Sequence, residues 1–363
     1  MKSVYLLFSS LGCRPRIIGL APWFLNDKVR LDDLSQSVSK LEAVTNSSLE
    51  TVSDLMVVLK CGNRCTCRVV SSKTFVNDFD FSVVAVRILS SALRFCRNSH
   101  FFNEYARPVV EAFSKILSIL EELGPWCAWR TCLIYERHLN KLNKSSVSEP
   151  HQLFIQLGQT YIRAAKKILE KHVKSVDSVA KLEAFVPDRV VRLLNILKSH
   201  CPVIVPGQLP NPASEFAGVV FVQRRYTAYI LKLLLKKVQS WDVESFGYLK
   251  VDFMVGYSSS NLAMEDSMAL HRRQEEVKAN FRQKILNLLI STSILEDGVE
   301  LRQCNIVVRY DIPLDFRSYL QSKGRARKRD SIFYFLVDQE VKEAFAERFK
   351  TFLLLEKVCS CSL

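Results

Sequence analysis

The chain has 363 residues, 48% apolar and 24% charged, a composition typical of a globular protein of two or three domains rather than a disordered one. Its net charge is +14 and its isoelectric point is near 9.3, which favours polyanionic partners, nucleic acid before acidic membrane. No stretch reaches the roughly 20 apolar residues of a membrane span. We therefore expect a cytoplasmic protein with no membrane partner.

The 11 cysteines are scattered along the chain. Zinc sites usually show two paired C-x-x-C units or a Cys/His pair, and neither pattern occurs here. The tightest group is Cys61, Cys65 and Cys67. We expect reduced thiols and no metal site.

The first 74 residues predict no complete α/β unit of their own. Residues 1–30 contain two short runs with strand character. Residues 31–46 carry apolar side chains at helical spacing, and short strands are expected over 55–59 and 66–70.

Residues 75–200 predict a bundle of helices, because apolar residues repeat every three or four positions. The stripes include Val109, Phe113, Ile116 and Leu120, then Leu153, Leu157, Tyr161, Ala165 and Ile168, and finally Leu182, Val190, Leu193 and Leu197. A proline-rich stretch over 201–214 marks the end of this region. We expect the helical region to fold as an independent unit, with few contacts across that boundary.

The remainder alternates apolar strands with helices, which predicts a doubly wound parallel sheet with helices on both faces. The expected strands cover 218–222, 249–255, 286–291, 305–310 and 332–336. Helices are expected over 226–238 and 266–284, and a long amphipathic helix over 339–358 closes the sequence.

The most specific stretch is QSKGRAR over residues 321–327. Gly324 permits a tight backbone at the edge of the sheet. Arg325 and Arg327 are planar cationic forks, which can stabilise the charge of a transferring γ-phosphoryl group. The alternative is a basic surface loop that contacts nothing or directs localisation.

The similarity of residues 321–327 and of two further stretches to helicase motifs decides between these interpretations. Residues 321–327 follow the Q-x-x-G-R-x-R form of the sixth helicase motif. Residues 291–299 (STSILEDGV) are similar to the fifth motif, and residues 219–228 (VVFVQRRYTA) are similar to the fourth. The chain therefore resembles the Dicer family of ribonucleases, within the superfamily 2 helicases.

This resemblance implies an α/β fold: a RecA-like, parallel-sheet helicase C-terminal lobe with a large all-α insertion. The implied domains are a remnant of the first RecA-like lobe (1–30), a linker helix with short strands (31–74), the helical insertion with its proline-rich boundary (75–212), the second lobe (213–338) and a C-terminal helix (339–363).

The resemblance also implies three groups of site residues. They are a catalytic group of Arg325 and Arg327 as arginine fingers with Gln321 and Gly324, a nucleotide-binding pair of Asp297 and Gly298, and an RNA-binding group of Thr292, Ser291, Ser293 and Arg224. The last group suits sugar-phosphate contacts, because hydroxyls and cations bind phosphate.

The sequence departs from the motifs of the family at two points that concern ATP. Residues 21–23 read Ala-Pro-Trp where the family has the T-A-S of its third motif. The 363 residues also contain no G-x-x-x-x-G-K-[ST] phosphate loop and no D-E-x-D/H box. ATP and Mg²⁺ belong to the intact family, and we expect neither to be used by this chain alone.

We therefore interpret the chain as a partial Dicer-like helicase, derived from an RNA-dependent ATPase that acts on double-stranded RNA in small-RNA processing. The implied partners are double-stranded RNA, the missing first RecA-like lobe, and a double-stranded-RNA-binding protein held by the helical insertion. Two alternatives stay open. The chain is a non-catalytic protein that binds double-stranded RNA or a Dicer partner, or it is a gene fragment that yields no stable protein.

Overall fold

A computed structural model describes residues 34–45, 65–73, 80–98, 105–146, 148–202, 216–255, 267–292, 303–328 and 330–361. The expected remnant over 1–30 and the expected strand over 55–59 lie outside these residues. No helix in the described part of the chain is long and apolar enough to cross a membrane.

The described elements follow the expected alternation. In chain order they are α1 (Leu34–Thr45), β1 (Thr66–Ser72), α2 (Asp80–Asn98), α3 (Arg107–Ser145), α4 (Glu149–Val173), α5 (Val179–Glu183), α6 (Asp188–Ser199), β2 (Gly218–Phe221), α7 (Arg225–Trp241), α8 (Val243–Phe246), β3 (Val251–Met254), α9 (Ser267–Arg282), β4 (Leu288–Ser291), β5 (Ile306–Arg309), α10 (Phe316–Lys323), β6 (Ile332–Asp338), a 3-10 turn (Gln339–Val341) and α11 (Lys342–Cys361).

The strands form one parallel sheet in the order β1-β6-β5-β2-β4-β3. β2, β4 and β5 are buried along their whole length, as expected of strands covered on both faces. The predicted α/β fold with a parallel sheet is confirmed.

The edge strand β1 corrects the expected linker over 31–74. It pairs with β6 in parallel, from Thr66 opposite Ile332 to Ser72 opposite Asp338. The strand therefore belongs to the parallel sheet of the α/β lobe. The helical region is inserted between the first and second strands of that sheet.

The helical region buries one apolar face of each long helix. On α3 the predicted stripe from Val109 to Leu120 is buried. On α4 the predicted stripe is displaced, because Leu153 is 61% exposed while Ile155 and Ile162 are fully buried. Long apolar side chains on both flanks of α4 made the two stripes hard to distinguish.

The expectation of few contacts across the domain boundary is wrong. One buried apolar cluster runs from α2, α3 and α4 through α6 and α7 to one face of the sheet. Trp126 of α3 meets Trp241 of α7 with ring centroids 5.8 Å apart. At the end of α6, the carbonyl of Leu197 accepts a 2.6 Å hydrogen bond from Tyr248 Oη. Helix α6 thus packs on the lobe, and a cut at residue 200 would expose this shared core.

A second apolar cluster fills the opposite face of the sheet under α9, α10 and α11. Tyr319 of α10 lies at its centre, fully buried among the rings of Phe333, Phe335 and Phe352. The C-terminal helix is therefore a packed layer of the lobe.

Candidate functional site

The sixth-motif stretch begins in α10 and leaves it at Gly324. The side chain of Asp315 caps the helix by accepting a 2.6 Å hydrogen bond from the amide of Ser318. Gly324 has φ −62° and ψ −6°, and its amide donates to Leu320 O at 2.8 Å. The expected tight backbone at Gly324 is wrong, because these are ordinary helical angles that any residue adopts.

The loop that follows is held at the amino-terminal edge of the sheet. Arg325 O accepts a 3.3 Å hydrogen bond from the amide of Cys304, just before β5. Ser331 Oγ, just before β6, donates to Ala326 O at 3.1 Å. Arg327 is exposed and folds back so that its Nε donates to Gly324 O at 2.7 Å, whereas Arg325 is half-buried.

Helix α10 is fixed from its other side by Glu356 of α11. The Glu356 carboxylate accepts hydrogen bonds from Lys323 Nζ at 2.6 and 2.8 Å and from Tyr319 Oη at 3.0 Å. Sequence reasoning missed Glu356, because it lies 33 residues from its lysine partner and in no motif. Its effect is to hold rigid the helix that carries Gln321.

The fifth motif starts at the carboxyl-terminal edge of the same sheet. Ser291 ends β4, is fully buried, and donates to Met254 O of β3 at 2.9 Å. In this structure the hydroxyl joins two strands and does not face solvent, so the structure does not place Ser291 where RNA could reach it. Thr292 is 5% exposed. Ser293, Asp297 and Gly298 lie outside the described residues, and their expected roles stay predictions.

The fourth motif also lies at the carboxyl-terminal edge. Arg224 follows β2 and its guanidinium contacts the carboxylate of Glu122, on helix α3 of the helical region. The hydroxyl of Thr227 donates to the other oxygen of that carboxylate at 2.6 Å. The residue expected to bind RNA is therefore paired with an anion of the protein itself. Sequence reasoning had no signal for this pair, because its members are 102 residues apart.

A second ionic contact lies at the carboxyl-terminal edge of the sheet, over β1, β6 and β5. Arg189 of α6 lies 3.4 Å from Asp311, contacts Asp338 at the end of β6, and stacks over the ring of Tyr310. Burial raises the pKa of Asp311, although a hydrogen bond from the amide of Gln223 and the charge of Arg189 oppose the increase. This cluster ties the helical region to the sheet where no motif residue was expected.

Those expected site residues that the structure describes therefore lie toward two opposite edges of one sheet. The arginines of the sixth motif lie at the amino-terminal edge, beside Cys304. Arg224, Ser291 and Thr292 lie at the carboxyl-terminal edge. Among the residues that the structure describes, no group of three or more His, Cys, Asp or Glu side chains could hold a metal ion.

Comparison with known proteins identifies the two parts. Residues 213–329 match the helicase conserved C-terminal domain, and residues 86–177 match the family described as Dicer, partner-binding domain. The solved structure of the Pyrococcus furiosus Hef helicase domain is 16% identical, with a TM-score of 0.39 over 79% of this chain and 58% of that one. The parallel-sheet lobe with its sixth-motif loop is thus similar to the helicase conserved C-terminal domain.

The relatives narrow the class further. Endoribonuclease dcr-1 of Caenorhabditis elegans is 34% identical over 95% of this chain and 18% of its own length. Endoribonuclease Dicer of Xenopus tropicalis is 30% identical over 96% of this chain and 21% of its own length. The chain belongs to the Dicer family. It spans about a fifth of the length of these relatives.

Proposed function

We propose that the chain supplies the second helicase lobe and the partner platform of an RNA-dependent ATPase that handles double-stranded RNA in small-RNA processing. The observation that carries the proposal is the placement of the motifs at opposite edges of one sheet. Such a lobe can meet a nucleotide at one edge and an RNA backbone at the other, without competition between the two ligands for the same side chains.

At the amino-terminal edge, Arg325 and Arg327 would act on the γ-phosphoryl group of ATP. Preorganised cations at this position stabilise the charge that spreads over the oxygens in the transition state. The cationic donors fit the phosphate end of ATP. Mg²⁺ prefers oxygen ligands, so the metal and the phosphate loop would be supplied by a first lobe. Gln321, on the rigid α10, and Gly324 would complete the motif, and Asp297 and Gly298 would approach the nucleotide from the fifth motif.

At the carboxyl-terminal edge, Arg224 and the hydroxyl residues that follow β4 would contact the sugar-phosphate backbone. Double-stranded RNA is recognised mostly by shape and by phosphate and 2′-hydroxyl contacts. We expect the binding to ignore base sequence and to weaken steeply with salt, because counterion release drives it.

The helical region would bind the double-stranded-RNA-binding protein. Helix α2 leaves Val83, Val84 and Phe95 exposed, Phe95 to 61%. Apolar anchors of this kind commonly mark protein interfaces. Phe95→Ser should abolish capture of the partner domain, whereas Leu153→Ser, equally exposed but on α4, should leave it intact. Equal losses in both variants would argue against a binding face on α2.

The ATPase proposal is tested by adding back a first lobe. The chain alone should show no ATP hydrolysis with or without RNA, and a mixture with the first helicase lobe of an animal Dicer should show RNA-stimulated hydrolysis. Arg325→Ala or Arg327→Ala should lower that turnover about 10³-fold. Lys171→Ala, which removes the same charge from an exposed site on α4, should not change it. A stable mixture without turnover contradicts the proposal.

A further inference from the structure

The carboxylate of Glu122 joins the helical region to the fourth motif. Its Oε1 accepts a 2.8 Å hydrogen bond from Ser118 Oγ and contacts the guanidinium of Arg224. Its Oε2 accepts from Thr227 Oγ1 at 2.6 Å. The backbone carbonyl of Glu122 accepts a further 3.2 Å hydrogen bond from Tyr310 Oη. Both ends of the residue are therefore bound to the helicase lobe.

The backbone around Glu122 presents this carboxylate in a defined place. Two residues later, Gly124 has φ +83°, and α3 is kinked between Gly124 and Pro125. The kink ends the first half of the helix directly beyond Glu122. In the pair itself, the side chain of Glu122 is 24% exposed and that of Arg224 is 58% exposed. More than half of the Arg224 side chain thus remains exposed to solvent while it is paired with Glu122.

A carboxylate and a phosphate are alternative partners for one guanidinium, because both offer two oxygens to its planar fork. We propose that Glu122 is a latch that occupies Arg224 in the absence of RNA, and that an RNA phosphate replaces it when the backbone binds. The inference rests on the proposed role of Arg224 in RNA binding. It adds that the helical region regulates this contact.

Two consequences follow from the competition. RNA binding includes the free energy of breaking the Glu122–Arg224 pair, so the latch lowers affinity. In addition, releasing the latch loosens one link between the helical region and the lobe. Any ligand of the helical region that moves α3 is then coupled to RNA binding, and the coupling acts equally in both directions.

The test compares two substitutions at adjacent positions in the full chain. Glu122→Gln and Glu121→Gln remove the same charge one residue apart, but Glu121 is exposed to solvent. We expect Glu122→Gln to tighten binding of a 20-base-pair RNA duplex about two- to fivefold, the upper range for a solvent-exposed ion pair, and Glu121→Gln to change it less than twofold. Glu122→Ala, which also favours the helix, should act in the same direction as the glutamine. Circular dichroism confirms that each variant is folded.

The background of Arg224→Ala separates the latch from the proposed function. Without the arginine, Glu122→Gln should have no effect beyond that of Glu121→Gln. If the wild-type chain binds no RNA at low salt, or if Arg224→Ala leaves its affinity unchanged, the proposed role of Arg224 is wrong. If Arg224 contributes to RNA binding and the two glutamine variants behave alike, the latch is wrong and only long-range charge acts.

Discussion

Gly124→Ala should strongly destabilise the chain. Gly124 combines φ +83° with ψ 178°, a region of backbone space that is essentially restricted to glycine. A Cβ at this position would lie 2.6 Å from the carbonyl oxygen of Phe185 and 3.0 Å from Cα of Val186. Both are backbone atoms, which cannot rotate away.

The size of the effect follows from two terms. Backbone strain of this kind costs about 1–3 kcal/mol, and overpacking in a tight interior costs about the same again. We therefore expect a loss of about 2–6 kcal/mol. The entropy of unfolding near 60 °C is about 2.1 cal/mol/K per residue, or roughly 0.8 kcal/mol/K for 363 residues, so the melting temperature should fall by about 3–8 °C.

The assay is thermal unfolding of the full chain followed by circular dichroism at 222 nm, with Gly324→Ala as the matched control. Gly324 has φ −62°, and the nearest atom to a new Cβ is Leu320 O at 3.2 Å. Its alanine variant should stay within about 1 kcal/mol of wild type. Equal melting temperatures for the two variants would show that the kink at Gly124 is not strained by a side chain.

Two further predictions concern titratable groups. Burial favours a higher pKa for Glu136, but hydrogen bonds from Lys166 and Arg163 outweigh it and lower the pKa. Because the folded-state pKa is lowered, Glu136 stabilises the fold at pH values above the unfolded pKa of 4.5, and Glu136→Gln should reduce the free energy of unfolding at pH 7. The difference between the variant and wild type should disappear as the pH falls through the folded-state pKa. A difference in urea melts that does not depend on pH would contradict this prediction. The side chain of Cys67 donates a hydrogen bond that lowers the pKa of Cys65 to about 7. Iodoacetamide at pH 7.5 should therefore label Cys65 before it labels the buried cysteines of α3. A peptide map that shows simultaneous labelling would refute this prediction.

Local patterns predicted most elements of the fold. The apolar runs in the described part of the lobe, such as 218–222, became largely buried strands, because a strand covered on both faces has no polar side. Helix positions followed from three- and four-residue spacing in the same way. The membership of β1 in the sheet could not be predicted. Each residue of β1 pairs with a residue of β6 that lies 266 positions later in the chain, as Thr66 does with Ile332, and no local pattern indicates such a pairing.

The candidate site shows the same difference between features that follow from local sequence and features that depend on long-range packing. The motifs named Arg224, Arg325 and Arg327 as candidate site residues, because residue type and spacing are local properties of the sequence. The partners of these motifs could not be predicted. Glu122 and Glu356 lie in ordinary amphipathic helices, and only the packing of α3 and α11 on the lobe brings them to Arg224 and to Lys323.

The central claim is that the two edges of the sheet act separately, one on the nucleotide and the other on RNA. It is tested most directly by measuring both activities of two variants in the mixture with a first helicase lobe. For Arg325→Ala and Arg224→Ala, turnover at saturating RNA and affinity for duplex RNA without nucleotide are measured side by side. Arg325→Ala should lower turnover about 10³-fold and leave RNA affinity within twofold. Arg224→Ala should weaken RNA binding about five- to tenfold, the loss of one charge-assisted contact, and leave turnover at saturating RNA within threefold. If either substitution lowers both quantities by similar factors, the two edges do not act separately.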